Sequence, residues 1–185
     1  MIKSFQDYSQ RLQSLLATMD WEPVERLCLA MLDCYQQGKH VFICGNGGSA
    51  GNAIHLANDF IYGAGGVKVE ALSANPAVIT CLANDIGYSE IYSQQLRVKA
   101  SAGDLLIVLS GSGNSENITR AIDVGNELGM CTAAILGYDG GKSKAMVDIA
   151  VHADINDMQI SEDIQVIVGH MMMQWFCQNN KQEQN

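Results

Sequence analysis

Short apolar runs alternate with helical patterns through most of this chain, and this alternation restricts the folds open to it. The runs HVFIC, VKVEAL, DLLIVLS, CTAAILG and DIAVHA begin at residues 40, 67, 104, 131 and 148. Helical patterns follow at 49–62, 114–129 and 161–178. Strands of a parallel sheet that is covered on both faces give such runs. The sequence therefore predicts an α/β fold with a doubly wound parallel sheet flanked by helices.

Residues 4–37 precede this alternation and carry the apolar spacing of two helices. Glu22-Pro23 suits the start of the second helix, and Gly38 suits its end. The apolar face of such a hairpin can pack on its own core or on another subunit. By length we expect one domain. Its expected parts are an N-terminal helical hairpin at 1–38, an α/β core at 39–179 and a tail at 180–185.

The charge and the cysteine content argue against several classes of protein. The net charge is −9, and no basic patch of the kind that binds nucleic acid is present. No window approaches 18 uninterrupted apolar residues, and the N-terminus lacks the apolar core of a signal peptide. We therefore expect a cytoplasmic protein without membrane or nucleic-acid contact. The six cysteines are scattered, which is typical of a reducing compartment.

Two loops rich in glycine and serine stand directly between a predicted strand and a predicted helix. The first, which we call the glycine loop, is CGNGGS at 44–49, and the second, the serine loop, is SGSGNS at 110–115. Ligands of doubly wound sheets bind beyond the carboxyl ends of strands. Backbone amides, serine hydroxyls and helix N-termini hold a phosphate or polyol without a cationic side chain. The alternative is that both loops are ordinary turns with N-caps.

A dinucleotide site is a second interpretation of the glycine loop. Gly45, Gly47 and Ala50 match the fingerprint of such sites, and Glu70 lies near the end of the next predicted strand, where a ribose-binding acid is expected. This single match is weak. It also leaves the serine loop unexplained.

Two predicted helices each carry one acid and one histidine on the same face. His55 and Asp59 are four residues apart, and Glu162 and His170 are eight apart. Two histidines and two carboxylates suit zinc or a similar divalent ion, and they also suit proton transfer. The alternative is that His170, which precedes three methionines, is a buried histidine of the core.

The chain carries five distinctive segments in this order: CGNGGSAGNAIHLANDF, CLANDIGYSEIYSQQL, SGSGNSENITRAI, GYDGGK and SEDIQVIVGHMMMQ. In these segments, and over nearly its whole length, it resembles the phosphoheptose isomerases of the sugar isomerase (SIS) domain superfamily. The resemblance implies a flavodoxin-like SIS fold. It also implies an enzyme of heptose biosynthesis that isomerises sedoheptulose 7-phosphate to the aldose D-glycero-D-manno-heptose 7-phosphate. It also implies a homotetramer with active sites between subunits, and one Zn²⁺ per site.

Matching the family's motifs position by position implies three sets of site residues. The proton-transfer residues would be Asp59 and His170. The metal ligands would be His55, Asp59, Glu162 and His170. The sugar phosphate would contact Asn46, Gly47, Gly48, Ser49, Asn84, Asp85, Ser110, Gly111, Ser112, Ser115 and Glu162.

Four positions depart from the family's pattern. Asp59 stands where the family has glutamate, so the carboxylate is one methylene shorter. Glu162 replaces a glutamine, Asp163 a glutamate and Gln165 a histidine. A shorter acid changes reach, and an added carboxylate strengthens attraction for a dication. The site is altered but keeps the groups that the chemistry needs.

Proteins of this superfamily also include members without catalysis. One relative binds the bacterial replication initiator, and others are phosphosugar sensors joined to regulatory domains. This sequence carries no DNA-binding module, and His170 favours an enzyme over the initiator-binding relative. Isomerisation of another phosphosugar also stays open, because sites are grafted on folds.

Overall fold

A computed structural model describes residues 2–180 of the chain. Its centre is a five-stranded parallel sheet in the order β2-β1-β3-β4-β5. The strands are β1 Val41–Gly45, β2 Val69–Ala71, β3 Leu105–Ser110, β4 Cys131–Leu136 and β5 Ile149–His152. All five lie within the predicted apolar runs apart from Gly45, so the predicted parallel α/β sheet is confirmed.

The described part of the chain also contains seven α-helices and three shorter helical segments. The α-helices are α1 Ile2–Thr18, α2 Glu22–Gln36, α3 Gly48–Asn58, α4 Pro76–Asp85, α5 Ser93–Lys99, α6 Glu116–Glu127 and α7 Met158–Asn180. Helices α1 and α2 precede the first strand, α7 follows the last, and the others connect the strands. A π-helical turn covers Asp59–Gly63, and 3₁₀ turns cover Tyr88–Glu90 and Lys142–Ala145.

Helix α6 is two residues shorter at each end than its prediction at 114–129, and two other helices differ more. The helix predicted at 49–62 divides into α3 and the π turn, and the one predicted at 161–178 begins earlier, at Met158, because Asp157 caps it. The predicted tail lies outside the described residues except for Asn180. That residue belongs to α7.

The order of the strands creates a switch point between β1 and β3. The chain leaves β1 toward β2 on one side and leaves β3 toward β4 on the other, so a crevice opens between the two carboxyl ends. Gly45 pairs in register with Leu109. The glycine loop and the serine loop are therefore neighbours at this crevice, as the sequence predicts for ligand-binding loops.

Each face of the sheet is covered by its own set of helices. Alternate residues of β1 face opposite sides of the sheet: Val41 and Ile43 belong to one core cluster, and Phe42 and Cys44 belong to the other. The first cluster contains α2, α3 and α7, and the second contains α5 and α6. This arrangement places α3 and α7 side by side.

The two N-terminal helices pack differently on the first face. Helix α2 supplies five buried apolar residues, whereas α1 supplies only Leu15. Helix α1 is held near the start of α7 by polar contacts, with the Tyr8 hydroxyl 2.5 Å from Asp163 Oδ2 and Arg11 Nη1 2.6 Å from Asp157 Oδ2. Burial and the bond to Asp163 raise the pKa of Tyr8 to about 12.

No helix among residues 2–180 is both long enough and apolar enough to cross a membrane. The six cysteines are all free thiols. Burial raises the pKa of Cys28 and that of Cys34 to about 11, which keeps both protonated at neutral pH.

Candidate active site

The glycine and serine loops enclose a small cavity of about 90 Å³ at the switch point. Most of the loop residues predicted to bind substrate reach it. Its lining consists of Asn46, Ser49, Leu109, Ser110, Gly111, Ser112, Ser115, Met158 and Glu162. Hydroxyls and amides predominate in this list, so the cavity offers donors to a polar ligand.

The glycine loop is tightly turned, and two of its glycines are closely packed against neighbouring side chains. Gly47 precedes α3 with a φ of 56°, which L-residues with side chains rarely adopt. A Cβ on Gly45 would collide with Ser49, and a Cβ on Gly48 would collide with the carboxylate of Glu162. The hydroxyl of buried Tyr92 donates to the carbonyl of Gly45, and burial raises the pKa of that phenol. These contacts fix the backbone at the start of α3.

Asn46 is held by a network that the sequence did not predict. Its amide exchanges two hydrogen bonds with that of Asn117, at 2.9 and 2.8 Å, and its Oδ1 accepts a third from the Tyr88 hydroxyl at 3.0 Å. Asn117 is buried among the apolar positions of α6 beside Ile118 and Ala121. A polar residue inside an apolar stripe was the available sign of this role.

The serine loop uses two of its hydroxyls internally. Ser110 Oγ accepts from the Gly113 amide at 3.0 Å, and Ser112 Oγ accepts from the Asn114 amide at 3.3 Å. Ser115 is the N-cap of α6 but forms no side-chain capping bond. A serine at this position normally caps the helix. The Ser115 hydroxyl and the first amides of α6 therefore point to a ligand site for an anion.

A third loop, which we call the supporting loop at 137–143, packs against the serine loop. The Ser143 hydroxyl and amide both donate to the Gly113 carbonyl, at 2.8 and 3.0 Å. A Cβ on Gly113 would collide with the carbonyl of Gly140. This close approach explains the glycines of both loops and keeps the serine loop in one shape.

His55, Asp59 and His170 meet at the far end of α3 and form what we call the His–Asp group. The two Nε2 atoms lie 2.8 Å apart, and each lies 3.4 Å from Asp59 Oδ2. The histidine side chains are 47% and 44% exposed, and the Asp59 side chain is 18% exposed. The predicted convergence of these three residues is present, and neither histidine is a buried core residue.

Asp59 lies where α3 changes into the π turn. The Ala64 amide donates to the Asp59 carbonyl at 3.1 Å, a bond that spans five residues. Such turns are frequent at functional sites because they redirect a side chain within a helix.

The donor atoms of the His–Asp group fit a zinc ion. Two imidazole nitrogens and a carboxylate oxygen are typical zinc ligands, and all three atoms lie within 4.8 Å of one another. Zinc–ligand bonds of 2.0–2.1 Å place tetrahedral ligands about 3.3 Å apart, close to both distances to Asp59. The 2.8 Å separation of the two nitrogens is instead that of a hydrogen bond, so they would separate slightly around an ion.

In the single chain Glu162 lies outside this group, and its role as a fourth ligand stays a prediction. Its carboxylate lies over Gly48 at the start of α3 and lines the loop cavity. Glu162 and His170 are eight residues apart, about 12 Å along the helix axis. A shared helix face does not bring two side chains together when their axial separation is this large.

Asn84 and Asp85 lie at the exposed end of α4. Asn84 Nδ2 donates to Asp85 Oδ1 at 2.7 Å, and Cys81 Sγ lies 3.5 Å from Asp85 Oδ2. Neither residue lines the loop cavity, although Tyr88, a few residues further on, reaches Asn46. The chain alone therefore does not bring this pair to the serine loop.

The position of Glu70 does not support the dinucleotide interpretation, which needs this residue to bind a ribose. Glu70 lies in the middle of β2, in register with Phe42, and its carboxylate is 2.6 Å from Lys99 Nζ. An acid that binds ribose hydroxyls stands free at the end of its strand. The structure gives Glu70 an ion pair instead.

Comparison with known proteins gives one consistent result. The family model described as SIS domain matches residues 4–137. A phosphoheptose isomerase of Aliarcobacter butzleri is 33% identical over 181 residues, 94% of each chain. The structure of a phosphoheptose isomerase from Neisseria gonorrhoeae has a TM-score of 0.89 at 28% identity and covers 95% of this chain and 96% of that one. One from Francisella tularensis has a TM-score of 0.90 at 25% identity, with coverage of 96% and 97%. The chain therefore belongs to the phosphoheptose isomerase family of SIS-domain proteins.

Proposed function

We propose that this protein interconverts sedoheptulose 7-phosphate and D-glycero-D-manno-heptose 7-phosphate. The observation that carries the proposal is the convergence of His55, Asp59 and His170 on α3 and α7, the helices that also border the switch-point cavity. An acid and a histidine within 3.4 Å of each other suit proton transfer between adjacent atoms of one substrate. The named relatives are phosphoheptose isomerases.

The reaction needs two kinds of proton movement. From ketose to aldose, a proton leaves C1 and one arrives at C2, while the O1 hydroxyl loses its proton and O2 gains one. Asp59 and His170 divide these transfers, and the enediol is the intermediate. At their 3.4 Å separation, Asp59 Oδ2 and His170 Nε2 can both face one C1–C2 unit.

His55, Asp59 and His170 would hold the zinc ion that suits this donor set, and whichever of Asp59 and His170 moves a proton would not be bound to the ion at that moment. When bound, a divalent ion polarises the carbonyl and hydroxyl oxygens and lowers the energy of the enediolate. The half-exposed histidines leave one side of the group open to a sugar. Three protein ligands and an open position are typical of catalytic zinc sites.

The phosphate end of the substrate would bind the serine loop. The chain carries a net charge of −9, so the phosphate depends on local donors. Ser115 has no capping bond, and α6 begins immediately after it. Ser110, Gly111, Ser112, Ser49 and the glycine-loop residues Asn46, Gly47 and Gly48 would complete the contacts, with Glu162 accepting from sugar hydroxyls.

A second copy of the chain would cover the His–Asp group, and we propose a homotetramer. Large exposed apolar side chains stand next to His55, Asp59 and His170 in the sequence, and one of them, Tyr62, is 91% exposed. The others are Ile54, Ile61 and Met171. Contiguous exposed apolar residues usually mark an interface. Asn84 and Asp85, which the single chain leaves exposed, would then reach a site across that interface.

Proton NMR of the purified protein with sedoheptulose 7-phosphate in D₂O, with and without added Zn²⁺, tests the activity. New aldose signals, or deuterium at C1 or C2, are expected. Binding of the sugar phosphate without turnover or exchange would contradict the proposal. It would instead support a sensor, or an isomerase of another phosphosugar.

A further inference from the structure

Gln165 of α7 is a buried polar residue that joins α7 to α3. Its exposed fraction is 1%. Its Nε2 donates to Ser49 Oγ at 2.9 Å, and its Oε1 accepts from Asn52 Nδ2 at 2.9 Å. The same Asn52 nitrogen donates to the Glu162 carbonyl at 3.0 Å. Three hydrogen bonds thus connect one turn of α7 with the first half of α3.

Two further contacts follow along the same pair of helices. A Cβ on Gly169 would collide with the side chain of Leu56, so the helices pack at close range one turn beyond Gln165. The His55–His170 contact comes next, with its nitrogens 2.8 Å apart. The distance between these nitrogens therefore depends on the axial register of α7 on α3.

Apolar contacts alone define such a register poorly. The hydrophobic effect is non-directional, and it changes little when two apolar helix faces shift slightly. Hydrogen bonds to a buried amide require both distance and angle. If α7 slid along α3, Gln165 and Ser49 would lose their partners in a buried environment, which is costly. Both side chains are satisfied in only the observed register.

We propose that Gln165 is a positioning residue that fixes the register of α7 on α3. This register holds His170 against His55 and Asp59, and it holds Glu162 over the glycine loop. The catalytic consequence rests on the proposed isomerase function, whereas the positional one does not. Gln165 touches none of the reacting groups itself.

Gln165→Leu tests the proposal, and Gln95→Leu is its matched control. Leucine keeps similar bulk and removes the hydrogen bonds. Gln95 is also buried, at 4% exposure, and its Nε2 donates to the carbonyls of Leu72 and Ile91. These partners lie outside α3 and α7. Gln165→Leu loses two side-chain hydrogen bonds, and Gln95→Leu loses three because Lys99 Nζ also donates to Gln95 Oε1, so a purely structural effect appears in both.

Three readouts are compared: Zn²⁺ affinity without sugar, the nuclear Overhauser effect (NOE) between the rings of His55 and His170, and kcat. We expect Gln165→Leu to weaken Zn²⁺ binding about tenfold or more, as for loss of other groups that orient ligands. Its ring NOE is expected to weaken and its kcat to fall by a similar factor. All three are expected to stay at the wild-type level in Gln95→Leu.

The double variant Asn52→Leu/Gln165→Leu separates positioning from stability. It leaves no amide unpaired between the helices, although the Ser49 hydroxyl still lacks its donor, so the melting temperature is expected to recover part of the way toward the wild-type value. Leucines provide no directional contact, so Zn²⁺ affinity and the ring NOE are expected to stay reduced. Recovery of both together with stability would overturn the proposal.

Failure of the positioning proposal and failure of the proposed function give different results in these experiments. Gln165→Leu with an unchanged ring NOE and unchanged Zn²⁺ affinity would show that other contacts set the register. Wild-type protein that shows the NOE but does not isomerise the heptose phosphate would contradict only the proposed function. If the wild type binds no Zn²⁺, the proposal is tested by the NOE between the rings of His55 and His170 alone, compared between the wild type and the variants.

Discussion

The Nε2 atoms of His55 and His170 lie 2.8 Å apart, although 115 residues separate them in the chain. Two such nitrogens at hydrogen-bond distance need one ring to donate and the other to accept, so at least one imidazole is neutral. The carboxylate of Asp59 lies 3.4 Å from both. A neutral imidazole beside a carboxylate is ready either to accept a proton or to bind a metal ion.

His170→Ala is expected to lower kcat by 10²- to 10⁴-fold, the usual contribution of a general acid or base. The side chain is half-exposed, so the melting temperature is expected to change little. The measurement is the rate of heptose phosphate isomerisation by NMR. His40→Ala is the control, because His40 lies just before β1, at the amino ends of the strands and so at the opposite end of the sheet from the loops. Near-full turnover by His170→Ala would exclude a role in proton transfer.

Much of the fold is predictable from the sequence, because the spacing of apolar residues along the chain indicates which side chains are buried. The five apolar runs contain the five strands, and Glu22-Pro23 begins α2 after the break that follows α1. The π turn at Asp59–Gly63 was not predictable, because it depends on one displaced hydrogen bond. Helix α4, with no buried residue, was also missed since its sequence is apolar without a helical stripe.

The site was predictable where a motif lies on one element, or where metal-binding side chains on two elements indicate a shared site, and not where buried polar contacts join distant elements. His55 and Asp59 share a helix, and the two loops each follow a strand. The partners of Asn46 and the bonds of Gln165 join distant elements, so spacing gives no sign of them. Glu162 shares a helix face with His170, but the axial rise between them leaves its carboxylate over Gly48 in the single chain.

Gly48→Ala is expected to weaken sugar phosphate binding without loss of stability. The new methyl group would displace the carboxylate of Glu162, whose flexible end can move. Alanine also favours a helix over glycine by about 1 kcal/mol. The measurements are KM and the melting temperature.

Gly51→Ala is the matched control for this change, because it lies on the same helix with open space around its Cβ position. It is expected to gain stability with KM unchanged. An equal rise of KM in both variants would show that the Glu162 contact is irrelevant to binding.

Ser115→Ala is expected to raise KM, by about tenfold for loss of a hydrogen bond to a charged phosphate. Its stability cost is expected to be small because Ser115 forms no capping bond. Asn75 provides the contrast, since its side chain accepts from the amides of Ala77 and Val78 at 3.1 and 3.2 Å. Asn75→Ala is expected to lose about 1 kcal/mol of stability. A stability loss in Ser115→Ala as large as that in Asn75→Ala, with KM unchanged, would make Ser115 a structural cap.

The attachment of α1 to α7 is expected to weaken in acid. The hydrogen bond from Arg11, whose Nη1 lies 2.6 Å from Asp157 Oδ2, is the main reason that the pKa of Asp157 is lowered. A carboxyl whose pKa is lowered by folding adds stability above its unfolded pKa of about 3.9. That stability is lost as the pH falls through the lower folded value.

Asp157→Asn isolates this charge effect, because asparagine keeps the cap on the Ile160 amide at the start of α7. The melting temperature of the wild type is expected to exceed that of Asp157→Asn by a constant amount above about pH 5, and the gap is expected to close in stronger acid. Salt at 0.5 M is expected to narrow the gap, since Arg11 is partly exposed. A gap independent of pH would show that Asp157 stabilises the helix through the cap alone.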